Sequence, residues 1–499
     1  MYLHNIWQYV EQSKDKYGAN IAFEDMEKSI SFQDLYLCAK RIGNYIKFKY
    51  PNQIRQPVAV YMPKSIENIC CFLGIIYSGN YYVPLDCNSP RERVEKILNI
   101  LNPITIVYKE ENSFFNNQNN ILFKEANKYE EDVTDITPQI LDIDPLYVLF
   151  TSGSTGIPKG VMISHRSVID YTEWLADTFD FNKNTVFGNQ APFHFDNSVL
   201  DIYSTLKNGC KMVIIPEMYF SFPRKLIDFI NERKINTLFW VPSALIGVAN
   251  SGQLEKIKLE YIQKILFCGE VMPNKHLNIW RRSYPDILYA NLYGPTEITD
   301  VCSYYIVNRE FKDDELLPIG KACRNTEIIV LNDNNKKVEG AESGELCVRG
   351  ICLSKGYLGD FEKTDKVFVQ NPLNNQYYEK IYRTGDIVKY NEYGELIYLC
   401  RKDFQIKHQG HRIELGEIES IVSGIENVQN NCVIYDDKNS VIVLFCVVKN
   451  NMNEKEIYSV MKSKLPRYML PGKIILIEEF PYNINGKIDR NSLKKILEK

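Results

Sequence analysis

Short, uninterrupted apolar runs recur from Val58 to Ile306, and they limit the architecture of this chain more than any other feature. They stand at residues 58–62 (VAVYM), 104–108 (ITIVY), 212–216 (MVIIP), 237–241 (TLFWV), 265–268 (ILFC) and 287–292 (ILYANL). A strand wetted on one face alternates polar with apolar residues, whereas a strand covered on both faces is apolar throughout. Between several runs the period changes. Ile66, Ile69, Cys70, Leu73, Ile76 and Tyr77 fall on one helical face, with Ser65 where an N-cap belongs. Strands alternating with helices that cover them give a layered α/β architecture. From Thr326 the texture turns to short alternating strands and turns, a small β unit. Beyond Asp403 strands at 432–435, 441–448 and 473–477 flank a helix at 454–464, a compact α+β module. The Asn-rich tracts at 112–120 and 371–376 read as surface loops.

At 499 residues with 45% apolar content, the chain exceeds one domain and can bury a full core. Its 59 basic and 63 acidic side chains leave a formal charge of -4, which provides no field for nucleic acid or an anionic membrane. The 13 cysteines are odd in number and lack C-x-x-C pairs, so a disulfide framework or zinc site is not expected. The N-terminus has no basic start and apolar core, and the strongest apolar run, Val441–Val448, is strand-sized. These features predict a cytoplasmic, soluble protein with small-molecule or protein partners.

The apolar run ending near Phe150 opens into "TSGSTGIPKG", so that Thr151, Ser152, Gly153, Ser154, Thr155, Gly156 and Lys159 follow a buried strand. Backbone N–H groups, hydroxyls and one cation suit phosphate oxygens, although a Gly/Ser turn has the same composition. A Walker loop is excluded because Lys159 stands between Pro158 and Gly160. "NLYGPTEITD" places Asn291, Leu292, Tyr293, Gly294, Pro295, Thr296 and Glu297 at a strand end, where ligands of α/β sheets bind. The Glu297 carboxylate suits a hard magnesium ion; its plain alternative is a solvated residue at a helix start. "YRTGDIVKY" sets Asp386 after a tight turn, where a carboxylate can take both hydroxyls of a ribose.

These stretches, together with "RKDFQIKHQGHRIELGEIE" (401–419) and "NINGKIDR" (483–490), resemble in order and separation the motifs of adenylate-forming enzymes: acyl-CoA synthetases, nonribosomal peptide synthetase adenylation domains and luciferases. The resemblance covers essentially the whole chain. It implies an N-terminal adenylation core over 1–402, with a small β-barrel-like unit, and a mobile C-terminal domain over 403–499 that turns about Asp403. It further implies ATP and Mg²⁺. Lys487 would reach the substrate carboxylate and the α-phosphate, Glu297 the metal, and the 151–159 loop the departing phosphates. Asn291, Leu292, Tyr293, Gly294, Pro295, Thr296, Asp386, Tyr398 and Arg401 would hold AMP, and a strand near Gly410 would line the thiol tunnel. Cys400 stands where the family usually has glycine.

"NQAPFHFDNSVLDIY" (189–203) resembles the amino-acid-activating branch, in which the aspartate, here Asp196, binds the α-ammonium group. A buried carboxylate is costly without a cation, which favours an amino acid over a fatty acid; capping of a helix near Ser198 is the alternative role. "ILFCGEVMP" looks closest to D-alanine:D-alanyl carrier protein ligases. The branch's pocket would be lined by Asp196, Asn197, Leu200, Trp240, Leu266, Cys268, Leu292, Asp300, Val301 and Lys487, with Trp240 filling space beside a small side chain. Asp300 falls where valine is usual and does not suit an alanine methyl; it would bind a polar side chain or the amine, or turn away as a helix-face carboxylate. His194, two residues before Asp196, would share its direction on an extended strand. His408 and His411 with Lys402, Lys407 and Arg412 form a basic cluster suited to an acidic carrier or to solvent.

The resulting expectation is a ligase that activates a small amino acid, D-alanine first, and loads it onto the phosphopantetheine thiol of a separate carrier protein. A polar amino acid, or a carboxylate:CoA ligase activity, stands as the alternative. The short stretch beyond Lys487 carries no carrier domain, and a monomer is the plain expectation.

Overall fold

The computed structural model describes residues 3–110, 119–131, 140–153, 157–403, 405–450, 452–481 and 488–497. Two compact units divide the chain. One comprises Met1–Cys87, Leu101–Leu149 and Gly160–Cys400; the other Asn88–Ile100, Phe150–Lys159 and Arg401–Lys499.

Among the described residues, the larger unit carries a nine-stranded sheet in the order Lys321–Ala322, Ser303–Ile306, Leu288–Tyr293, Lys264–Phe267, Thr237–Trp240, Val186–Asn189, Lys211–Ile214, Ile21–Glu24, Ser29–Ser31. The five strands from Leu288–Tyr293 to Lys211–Ile214 run parallel, so their C-terminal ends gather at one edge. Alternate side chains enter two cores. Phe239, Leu266, Ala290 and Leu292 pack with the helices Phe32–Lys49, Ile66–Tyr77, His165–Phe179 and Asn197–Asn208. Leu238, Trp240, Ile265 and Phe267 pack with Pro223–Glu232, Pro242–Asn250 and Asn274–Ser283 on the other face. Double coverage is why these runs are apolar at every position. A six-stranded sheet, Ile121–Leu122, Thr105–Tyr108, Pro57–Tyr61, Tyr81–Leu85, Pro145–Thr151 and Lys159–Ser164, adds Val58, Tyr82 and Tyr147 to the first core. Ser65 precedes its helix in an extended conformation, but its hydroxyl bonds the Asn68 side chain at 3.1 Å instead of a backbone N–H.

The small β unit is a five-stranded sheet: Thr326–Leu331, Gly344–Gly350, Lys380–Tyr390 and Phe368–Gln370 in order, with Leu396–Arg401 also on Lys380–Tyr390. Its core includes Val330, Leu346, Val348 and Val388, and also Tyr293, Ile298 and Cys302, so it fixes the loop leaving Leu288–Tyr293. Asp386 does not follow a tight turn as expected. It lies inside the long strand Lys380–Tyr390, just after Gly385 at φ 75°, where the pairing register with Gly344–Gly350 shifts. A bulge, not a turn, aims its side chain.

In the smaller unit Val441–Val448 pairs antiparallel with Val428–Asp436 and parallel with Lys473–Leu476, and the helices are Leu415–Ser423, Glu454–Lys464 and Arg490–Leu497. Asn453 and Glu456 form a reciprocal capping box on the second helix. The segment 88–100 joins this unit through a buried ion pair between Arg93 and Glu417. Gly410 is not in a strand: with Gln409 it makes the two-residue turn of the hairpin Gln405–His408/His411–Glu414, both at positive φ, the turn that matches strand twist. The two histidines of the basic cluster lie against tyrosines. His411 stacks on Tyr468 at 3.6 Å, and His408 meets Tyr435 edge-on.

Candidate active site

The strand Leu288–Tyr293 ends in Gly294 and Pro295, a single 3-10 turn Thr296–Ile298, and two successive left-handed residues, Thr299 at φ 62° and Asp300 at φ 72°. Non-glycine residues seldom adopt that conformation, and two in a row require support. It comes from Cys302 N–H donating to Tyr293 O (2.9 Å) and from Thr299 Oγ1 donating to Cys352 O (2.8 Å). A Cβ on Gly294 would lie 2.3 Å from Asp300 O, so only glycine lets this loop close. The closed loop buries Thr296, Glu297 and Asp300.

Glu297 is fully buried and accepts the Tyr357 hydroxyl at 2.8 Å; it is not a solvated helix-start residue. Asp196 stands at the head of Asn197–Asn208. One carboxylate oxygen accepts Asn197 N–H at 3.0 Å and the other accepts the Thr296 hydroxyl at 2.5 Å. Its two oxygens thus take separate partners, one the helix head and the other Thr296. His194 does not share the direction of Asp196 along a strand: residues 193–196 turn, with Phe195 N–H on Pro192 O, and the imidazole tilts against Phe195. Tyr293 donates its hydroxyl to Asp386, joining two motifs 93 residues apart. Asn291 donates to Pro318 O at 2.8 Å, and Tyr398 packs half-buried on the core of the small β unit.

Leu200, Leu266, Cys268, Leu292 and Val301 share one core with Tyr147 and Tyr171, and Asn197 is buried nearby in the sequence of the same helix as Leu200. Trp240, expected beside them, does not join this core. Its indole belongs to the opposite core, beyond the sheet, and donates to Gly188 O at 2.8 Å. Neighbouring residues of a strand point to opposite faces, so Phe239, paired in register with Leu266, takes the side expected of Trp240. Asp300 is likewise not a helix-face carboxylate. It is 1% exposed and accepts the Tyr171 hydroxyl at 2.7 Å.

In the smaller unit Ser152, expected at a phosphate, bonds its own unit instead: its hydroxyl donates to Arg412 O at 2.6 Å and accepts Glu414 N–H at 3.2 Å. The neighbouring Thr151 Oγ1 is buried with no hydrogen-bond partner among the described residues, which fits an incoming phosphate oxygen. Gly153 and Lys159 are buried; burial pushes the Glu414 carboxyl up, against the pull of the Lys159 charge. Arg401 forks onto Asp403, with both bonds at 2.6 Å. Burial alone would raise the Asp403 carboxyl, but this guanidinium holds it below its ordinary value. Ser154, Thr155, Gly156 and Lys487 lie outside the described residues. Tyr147, Tyr171, Tyr357 and Arg93 belong to no motif read from the sequence, and a run apolar throughout carries no signal that separates Phe239 from Trp240.

The chain matches the family described as AMP-binding enzyme over residues 10–358, and its C-terminal domain family over 417–487. It is 32% identical to a D-alanine--D-alanyl carrier protein ligase of Bacillus licheniformis over 99% of both chains. It is 30% identical to an L-proline--[L-prolyl-carrier protein] ligase of Pseudomonas fluorescens, over 99% of this chain and 98% of that one. Among solved structures, an NRPS protein containing adenylation and PCP domains superposes with a TM-score of 0.87 at 23% identity, covering 98% of this chain and 84% of that chain. A Vibrio cholerae adenylation domain in complex with glycyl-adenosine-5'-phosphate superposes at 0.83 and 21%, covering 100% and 98%. These two likenesses establish the fold.

Proposed function

Because the chain belongs to the AMP-binding enzyme family, we propose that it is an AMP-forming ligase which activates a small amino acid with ATP and passes the aminoacyl group to a separate phosphopantetheinylated carrier protein. The observation that carries this reading is the Thr296–Asp196 hydrogen bond: the motif that would hold AMP also fixes the carboxylate that would hold a substrate ammonium.

An amino-acid carboxylate oxygen attacks the α-phosphorus of ATP, the bond to the β-phosphate oxygen breaks, and pyrophosphate leaves. Both reactants are anions, so the protein's task is to neutralise and align them. Asp196 anchors the ammonium. Asp386, with Tyr293 donating to it, takes the ribose, and Asn291, Leu292, Gly294, Pro295, Thr296, Tyr398 and Arg401 complete the AMP site. Thr151, Gly153, Ser154, Thr155, Gly156 and Lys159 hold the departing phosphates, with Ser152 joining them once it leaves Arg412 and Glu414. Lys487 bridges the carboxylate and the α-phosphate. The buried oxygen donor Glu297 fits Mg²⁺, which would neutralise phosphate charge. In the second step the carrier thiol sulfur attacks the acyl carbon, AMP leaves with the anhydride electrons, and the thiol proton goes to solvent. Asp403 is the hinge between the two steps.

No helix among the described residues is long and apolar enough to cross a membrane. Free thiols at all 13 cysteines favour a reducing cytoplasm, and a monomer is the simplest state. Pyrophosphate exchange against every D- and L-amino acid, with aryl and fatty acids as controls, tests the reading. Exchange with amino acids alone supports it; exchange with aryl or fatty acids alone replaces it by a carboxylate:CoA ligase.

A further inference from the structure

The described residues hold a buried phenol in the larger unit that no part of the reaction above uses. Tyr147, on the strand Pro145–Thr151, is 0% exposed, and its hydroxyl has no hydrogen-bond partner among the described residues. Its ring leans on Tyr82, whose own hydroxyl is satisfied by Tyr203 at 2.8 Å. Burial first, then Tyr82 and the charges of Asp196 and Asp300, push the hydroxyl's titration well up and keep it a neutral donor.

Asp300 is brought there by an expensive backbone. Two consecutive left-handed residues, the Gly294 contact and the Tyr171 hydroxyl together hold its carboxylate inside the core that contains Tyr147, Leu200, Leu266 and Cys268. A buried hydroxyl without a partner destabilises the fold, as does each strained residue, and such costs persist where a ligand offsets them.

We propose that Tyr147, Asp300 and Tyr171 form a side-chain subsite beside Asp196, and that the amino acid this enzyme activates ends, within a short stem, in a hydrogen-bond donor: a hydroxyl or an ammonium. The proposal rests on the amino-acid-activating reading above and deepens it. Asp300 accepts from the side chain, Tyr147 supplies or accepts a second bond, and Tyr171 holds Asp300 in place. An alanine methyl would leave the Tyr147 hydroxyl buried and unsatisfied, and a site built to bond a polar group discriminates strongly against an analogue without it.

The test is kcat/KM in pyrophosphate exchange for D- and L-serine, threonine, 2,3-diaminopropionate, 2,4-diaminobutyrate, alanine and 2-aminobutyrate, in the full chain and in the Tyr147→Phe and Asp300→Asn variants. Expected is at least a tenfold preference for a hydroxyl or an ammonium side chain over the methyl and ethyl ones, the serine and diamino arms telling which. That ratio falls about tenfold in either variant. A preference for alanine or 2-aminobutyrate overturns the inference, as does a polar preference that neither variant moves. Exchange with none of the amino acids, but with other acids, fails the broader reading itself and is thereby told apart. An ATP-induced rise in Tm reports that each variant is folded.

Discussion

Thr296 donates its hydroxyl to Asp196 across 2.5 Å, although 100 residues separate them. The bond joins the loop at the end of Leu288–Tyr293 to the head of the helix Asn197–Asn208, so the loop sets the orientation of the carboxylate proposed to bind the amine.

Removing the charge of Asp196 should therefore damage amino-acid binding specifically. For Asp196→Asn we expect kcat/KM for the amino acid to fall about 10²–10³-fold, as for loss of a buried partner of an ammonium. The Kd for ATP, read by calorimetry, should change little. An equal loss in both would mean that Asp196 acts only as the cap of its helix.

Lys487→Ala should abolish amino-acid-dependent pyrophosphate exchange while leaving thiolation from pre-formed aminoacyl-adenylate largely intact. In the proposed scheme this lysine neutralises charge only while the anhydride forms. Single-turnover transfer to a carrier is the second measurement, and equal loss in both steps would contradict a lysine that serves one of them.

Arg401 grips Asp403 with two charge-assisted bonds, and Asp403 is half-exposed. A hinge must change its backbone angles, and proline fixes φ. Asp403→Pro should spare adenylation and slow thioester formation at least tenfold; an unchanged transfer rate would remove Asp403 from the hinge role.

Trp240 is a core residue here, not a pocket wall. Trp240→Phe should lower stability by about 1–3 kcal/mol through the lost bond to Gly188 O and a small cavity. The amino-acid profile in exchange assays should stay as in the parent. A changed profile would return Trp240 to the pocket.

Stability should fall in mild acid. His165 is 1% exposed, its Nδ1 accepts Ile6 N–H, and burial pushes its titration from 6.5 down to about 4. The folded chain then binds fewer protons than the unfolded one between those values, so its contribution is complete above pH 6.5 and is lost as pH falls toward 4. At pH 5 the loss is about 2 kcal/mol. His165→Gln, which cannot gain that proton, should flatten the dependence of Tm on pH between 6.5 and 4.

Local chemistry, written in neighbouring residues, was open to reading from the chain alone: covered strands at residues 58–62 and 237–241, the helix Ile66–Tyr77, the helix Glu454–Lys464, and the motifs around Thr151, Asp196, Glu297 and Asp386. Each rests on interactions within a few residues, where period and composition carry the information. What tertiary structure alone decided is direction and partnership. Trp240 and Phe239 are both apolar, and nothing in "TLFWV" says which face meets Leu266; pairing register does. Asp386 could be singled out for its carboxylate, but its aim comes from a bulge opposite Gly344–Gly350. The partners Tyr171 for Asp300 and Tyr357 for Glu297 lie 129 and 60 residues away. Contacts at that separation are set by how the layers stack, a balance of packing over the whole core to which no single segment holds the key.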